Sequence, residues 1–109
     1  MVMTHDSVLM VTARVDSSGA RVVPVGEVVM DTADRLRGVL LNALGRRPTA
    51  LTVDLGEVSF LDSTGIAVLV QGYRLAVEFA VPMTVVNFRP PVRQVLELSG
   101  VLPLLEGEQ

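Results

Sequence analysis

LTVDLGEVSFLDSTGIAVLVQGY, residues Leu51 to Tyr73, runs from an apolar strand through a short loop into an apolar helix. Ala50 to Leu55 reads as the strand, Gly56 to Asp62 as the loop and Ser63 to about Ala76 as the helix, so Asp62-Ser63-Thr64-Gly65 falls at the strand-to-helix junction. Parallel α/β sheets carry functional loops at the carboxyl ends of their strands. A helix N-terminus also offers free N–H groups and the positive end of the macrodipole, which favour negative charge on Ser63. A phosphoryl group fits there, and Gly65, lacking a side chain, lets a phosphate or another molecule approach the backbone. The same residues also suit a plain structural role, with Ser63 as the N-cap and Gly65 as a packing position. Asp62 can orient Ser63 or a magnesium ion, or simply complement the dipole. Thr64 is a second candidate hydroxyl. A near-copy, Asp16-Ser17-Ser18-Gly19, joins two strands with no helix behind it and reads as a hairpin turn.

Working outward, Ser7 to Val15 and Arg21 to Val25 are the two strands of that hairpin. Val28, Val29 and Met30 follow as an apolar loop expected to neighbour Ser63, either as core or as partner contact. From Thr32 to Leu44 the apolar residues recur at spacings of three and four, which predicts an amphipathic helix capped by Asp31 or Thr32 and ended by a left-handed Gly45. Met83 to Phe88 is another strand. Pro90 and Pro91 open a last helix with Val92, Val95, Leu96 and Leu98 inward, closed by Ser99-Gly100. The expected order is ββαβαβα: an α/β fold in one domain over residues 1–109, with a mixed sheet entered through an antiparallel hairpin.

Composition narrows the chemistry. The 109 residues include nine arginines, no lysine, no cysteine and one histidine, His5, for a net charge of -3. No thiol nucleophile, cysteine-ligated metal, Schiff base or His-centred triad can be assembled, so the chain reads as a non-enzyme without a cofactor. His5 and the scattered methionines, including Met1 and Met3, receive no role. Mild acidity without a basic run argues against nucleic acid. Mean hydropathy is +0.50, yet the apolar runs fall far short of the ~20 residues of a membrane-spanning helix. Residues 1–6 show no secretory signal, so a cytoplasmic location is expected. Arg89 and Arg93, near the start of the last helix, read as solvated charges in preference to contacts for a partner phosphate or carboxylate.

Three segments in order resemble the STAS family, and within it the stand-alone anti-sigma factor antagonists of bacteria: Gly26-Glu27 with Asp31-Thr32-Ala33, Leu51–Leu55 with Ser59–Gly65, and Pro91-Val92-Arg93 with Leu96–Val101. The resemblance implies a STAS-like fold, a sheet of four or five strands flanked by helices. It implies phosphorylation of Ser63 by an anti-sigma factor that is itself a serine kinase, and reversal by a PP2C-type phosphatase. The unphosphorylated form would bind the anti-sigma factor and free a sigma factor, with Val28, Val29, Met30, Asp62, Ser63, Thr64 and Gly65 toward the partner. Two departures stand out. The family's aspartate in the partner-facing loop falls at Val29 here, which favours a second function, a scaffold or transporter-associated subunit that assembles without phosphorylation. The chain also stops soon after Leu105, where many relatives add a helix; the face left uncovered hints at a homodimer.

Overall fold

The computed structural model describes residues 8–106. His5, Met1, Met3, the first six residues and the start of the first expected strand at Ser7 lie outside the described residues. A hairpin of β1 (Leu9–Asp16) and β2 (Gly19–Val28) opens the fold, followed by α1 (Ala33–Gly45), β3 (Leu51–Asp54) and β4 (Val58–Leu61). Then come α2 (Ser63–Glu78), β5 (Met83–Val86), α3 (Pro90–Leu98) and a single turn, α4 (Leu102–Leu105). Five strands form one mixed sheet in the order β1-β2-β3-β5, with β4 also on β2. β1 is antiparallel to β2 and the other pairings are parallel.

The order is therefore ββαββαβαα. β4 lies within the stretch expected to be a loop, and its burial does not alternate: Val58 and Leu61 are buried while Ser59 and Phe60 are exposed. The cause is a register shift, because Gly26 opposes Val58 but Glu27 opposes Phe60, leaving Ser59 as an extra residue. β3 and β4 share one side of β2, β3 at Ala20–Val22 and β4 at Gly26–Val28. Between them stands Pro24. Having no N–H, it occupies the handover point where no ladder bond is called for.

One face of the sheet is covered by α1 and α2. Leu36, Leu40 and Leu44 of α1 and Val68, Leu69 and Ala76 of α2 are buried over Leu51, Val53, Met83 and Val85. Truncating one such leucine to alanine costs about 2–5 kcal/mol. At the far end of the hairpin, Asp16 Oδ1 accepts the Ser18 N–H at 2.8 Å and the Ser18 hydroxyl at 2.6 Å, and Gly19 takes φ 130°. The near-copy Asp16-Ser17-Ser18-Gly19 is thus a turn, as its setting indicated.

Three local expectations are corrected. Gly45 is the last helical residue, and the left-handed position falls two residues later at Arg47, φ 52°, whose N–H donates to the Leu44 carbonyl at 2.9 Å. Leu98 does not face inward but is 82% exposed, because two residues past Leu96 place it on the far side of the helix from the buried stripe of Val92 and Leu96. Val28 is not a loop residue but the fully buried end of β2. Among the described residues, no helix is long and apolar enough to cross a membrane.

Candidate functional site

β4 ends at Leu61, and the Asp62 N–H donates to the Val28 carbonyl at 3.1 Å, so the start of α2 is tied to the end of β2. Asp62 is extended at φ -103°, ψ -171°, and it, not Ser63, is the N-cap. Its Oδ1 accepts the N–H groups of Thr64 at 2.9 Å and Gly65 at 3.1 Å. The same oxygen accepts the Thr64 hydroxyl, while Oδ2 accepts the Met30 N–H at 3.2 Å. Partial burial works against the charge on Asp62. The hydrogen bonds from the Thr64 hydroxyl and from the Gly65, Thr64 and Met30 N–H groups outweigh it and hold the carboxyl below its ordinary 3.8.

Ser63 is the first helical residue and is exposed. The two neighbouring candidates are differently placed. The Thr64 hydroxyl is engaged by Asp62, and Gly65 is buried. A Cβ on Gly65 would lie 2.7 Å from the Val28 carbonyl oxygen and 2.5 Å from Leu61 Cδ1. Gly65 therefore sets how closely α2 approaches β2, and its missing side chain opens no path to the backbone from outside.

The loop from β2 to α1 forms the other wall. The Thr32 hydroxyl donates to the Glu27 carbonyl at 2.7 Å and accepts the Val29 N–H at 3.0 Å. The Val29 carbonyl in turn accepts the N–H groups of Thr32 at 2.9 Å and Ala33 at 2.7 Å. Thr32 is 4% exposed, so its hydroxyl is turned into the loop and makes no side-chain bond to the first turn of α1. The loop is thereby closed on itself, with Val29 half-buried and Met30 74% exposed. Of the apolar trio, Val28 lies in the core and Met30 in solvent. The loop-closing role of Thr32 has no periodicity to reveal it; the only sign is a β-branched hydroxyl just before an amphipathic helix.

Arg89 and Arg93 are bound within the chain. Arg89 Nε donates to the Gly56 carbonyl at 2.8 Å, with Glu57 at 3.6 Å, and Arg93 contacts Glu106 at 3.1 Å and Glu97 at 3.6 Å. Among the described residues, no group of three His, Cys, Asp or Glu side chains is placed to hold a metal ion.

The sequence profile described as "Mlab, STAS domain" matches residues 11–106. The chain belongs to the STAS domain family. An anti-sigma F factor antagonist of Paenibacillus polymyxa is 30% identical over 87 residues, covering 76% of this chain and 74% of its own length. The crystal structure of an anti-sigma factor antagonist from Mycobacterium paratuberculosis superposes with a TM-score of 0.76 at 26% identity, over 86% of this chain and 80% of that one. The unphosphorylated form of the anti-sigma factor antagonist SpoIIAA shares the fold, with a TM-score of 0.73 at 21% identity, over 86% of this chain and 84% of that one. In this STAS chain the exposed Ser63 and the exposed Met30 flank one carboxylate, that of Asp62, which fixes the backbone beneath both.

Proposed function

We propose that this STAS chain is an anti-sigma factor antagonist whose binding face is switched by phosphorylation of Ser63. In the unmodified state Ser63 and Met30, with the backbone held by Asp62, face an anti-sigma factor that is a serine kinase; its capture frees a sigma factor. The kinase transfers the γ-phosphoryl group of ATP to Ser63 Oγ, the hydroxyl proton leaves and ADP is released. About -1.5 to -2 charges are thereby placed on a surface that the partner fits as a neutral hydroxyl. A PP2C-type phosphatase restores the hydroxyl. The chain works as a cytoplasmic binding protein, with no reaction, cofactor or nucleic-acid partner of its own. The observation that carries this reading is the exposed hydroxyl of Ser63 at the first position of α2, beside Thr64 and Gly65, which are engaged or buried.

The experiment is incubation with the cognate anti-sigma kinase and Mg-ATP, followed by peptide mass spectrometry. One phosphate on Ser63 and none on Ser63→Ala is the expected result. Phosphate on Ser17, Ser18 or Thr64, or an alanine variant modified as readily as the parent, overturns it. Val29 favours a second reading. An apolar, half-buried residue in the partner-facing loop suits a scaffold or transporter-associated subunit that only mediates assembly. That reading predicts no phosphate under the same conditions, and partner binding indifferent to charge at Ser63.

A further inference from the structure

Among the described residues β1 is a free edge of the sheet, paired with β2 alone, and at eight residues it is twice as long as β4 and β5, the other strands with a single partner. In an antiparallel ladder, alternate residues turn their N–H and C=O groups toward the partner strand and the rest turn them away. The Glu27 N–H donates to the Val8 carbonyl at 3.3 Å, which sets the phase. Met10, Thr12, Arg14 and Asp16 turn toward β2, while Leu9, Val11, Ala13 and Val15 turn outward. Pro24, opposite Val11, agrees with this phase, since it has no N–H to offer β1.

One outward group is already taken. Arg35 Nη1 donates to the Leu9 carbonyl at 2.6 Å. Val11, Ala13 and Val15 each keep an N–H and a C=O turned away from β2, and none of these has a partner among the described residues. Their side chains line a groove of about 290 Å³ against Val39, Asn42 and Ala43 of α1 and Arg46 just beyond its end. A free edge and a groove with both apolar and polar walls are thus built from the same residues. Proteins usually blunt such an edge, because it invites another strand.

We propose that this edge pairs antiparallel with the β1 edge of a second copy of the chain, with Ala13 on the twofold axis. In that register Ala13 opposes Ala13 and Val11 opposes Val15, so every outward N–H and C=O of the trio gains a partner and apolar side chains meet on the helix face. On the other face Thr12 opposes Arg14 and Met10 opposes Asp16, with no like charges directly opposed. The two neighbouring registers fail for stated reasons. Symmetry about Thr12 pairs Val15 with Leu9, whose carbonyl Arg35 holds. Symmetry about Arg14 puts arginine directly against arginine, which is destabilising. A twofold axis perpendicular to the sheet also sets both α1 helices on one face, closing the groove of each copy. Ala13 opposes Val22, six residues along β2 from Val28, or roughly 20 Å at ~3.3 Å per residue, so the dimer leaves the Ser63 face open.

Sedimentation velocity on the full chain over a range of concentrations is the first test, with mass expected to rise from 11.7 kDa toward twice that value. Ala13→Pro should raise the dimer Kd roughly tenfold or more while leaving the circular dichroism unchanged, because its N–H is unpaired in the monomer. Ala13→Cys, in a chain with no other cysteine, should form an intermolecular disulfide under mild oxidation. Directly opposed residues of such a pair lie ~5.5 Å apart between Cα atoms, within disulfide range. Met10→Cys, which faces Asp16 across the axis and not its own counterpart, should not cross-link. A chain that stays monomeric at every concentration overturns the proposal, including the case in which it captures an extended peptide of another protein instead. So does an Ala13→Pro variant that dimerises like the parent, or cross-linking through Met10→Cys as fast as through Ala13→Cys. Should Ala13→Pro fail to fold, the cysteine pair decides the matter alone.

Discussion

The Asp62 carboxylate accepts the Met30 N–H at 3.2 Å across 32 residues of chain. Its other oxygen holds the first turn of α2, so one side chain sets both the helix that presents Ser63 and the loop that presents Met30. Removing it should loosen both at once. Asp62→Ala loses an N-cap, about 0.5–2 kcal/mol, together with the loop hydrogen bond, about 1 kcal/mol. The melting temperature should fall by several degrees, since ~1 kcal/mol shifts it by ~4–8 °C in a domain near this size. Thermal denaturation followed by circular dichroism checks this.

The same carboxylate gives stability an acid limb. Asp62 and Asp54 are both held below their ordinary 3.8. For Asp54 burial again opposes the charge, and the Gly56 N–H, the Arg21 and Asn87 side chains and the Arg21 charge overcome it. A carboxyl with a lowered folded-state pKa makes the unfolded chain bind more protons. The stabilisation is therefore complete above 3.8 and drains away as pH falls below it. Urea unfolding between about pH 6 and pH 2 should show this decline, and Asp62→Asn should make it shallower. A decline unchanged by Asp62→Asn removes Asp62 from the account.

Gly65 tests the packing of the same junction. Gly65→Ala would push a methyl group against the Val28 carbonyl, which β2 and the Asp62 N–H hold in place. The strain should cost about 1–3 kcal/mol, read as a lowered urea midpoint. It should also displace α2 from the β2–α1 loop and weaken partner binding. A variant as stable as the parent would show that the helix moves away freely.

How far the sequence disclosed all this depends on the kind of signal each part carries. Helix α1 was legible because burial on one face imposes a spacing of three and four that turns and strands cannot mimic, and α2 because a long apolar run follows the strand and loop before it. The hairpin was legible from Asp16 to Gly19, where turn chemistry is local. β4 was not, since its bulge at Ser59 erases the alternation by which a strand is recognised. At the candidate site, the loop and the helix start were readable, but the N-cap fell one residue earlier than Ser63 because aspartate and serine cap equally well. Separating Val28 from Met30 required the register of β2, information held by β4 and not by the apolar trio itself. The joining of Met30 to Asp62 is long-range and leaves no local mark.

Met30 offers a test of the binding face that spares the fold. It is 74% exposed, so Met30→Ala removes no packed core contact and should leave the melting temperature within about 1–2 °C of the parent. At an interface a flexible thioether of this size fills an apolar pocket. Its truncation should weaken binding to the anti-sigma factor roughly tenfold. Isothermal titration calorimetry with a verified partner measures this, and an unchanged affinity would place the interface elsewhere.

Charge at Ser63 should separate binding from stability. A vacant helix N-terminus gains about 0.3–1 kcal/mol from an added anion. Here Asp62 already occupies that position and takes the Thr64 and Gly65 N–H groups, so a second negative charge at Ser63 finds fewer free donors and a like charge beside it. The favourable and unfavourable contributions oppose each other. Ser63→Asp should accordingly sit within about 0.5 kcal/mol of the parent, as exposed substitutions generally do. At the interface nothing offsets the charge: the carboxylate must lose water against a surface shaped for a neutral hydroxyl. A loss of ~3 kcal/mol there weakens binding more than a hundredfold, and a carboxylate, with less charge than a phosphate, should produce part of that loss. Paired melting curves and titrations against the anti-sigma factor read the two effects independently. A large fall in melting temperature would make Ser63 structural, whereas full affinity in Ser63→Asp would favour the scaffold over the switch.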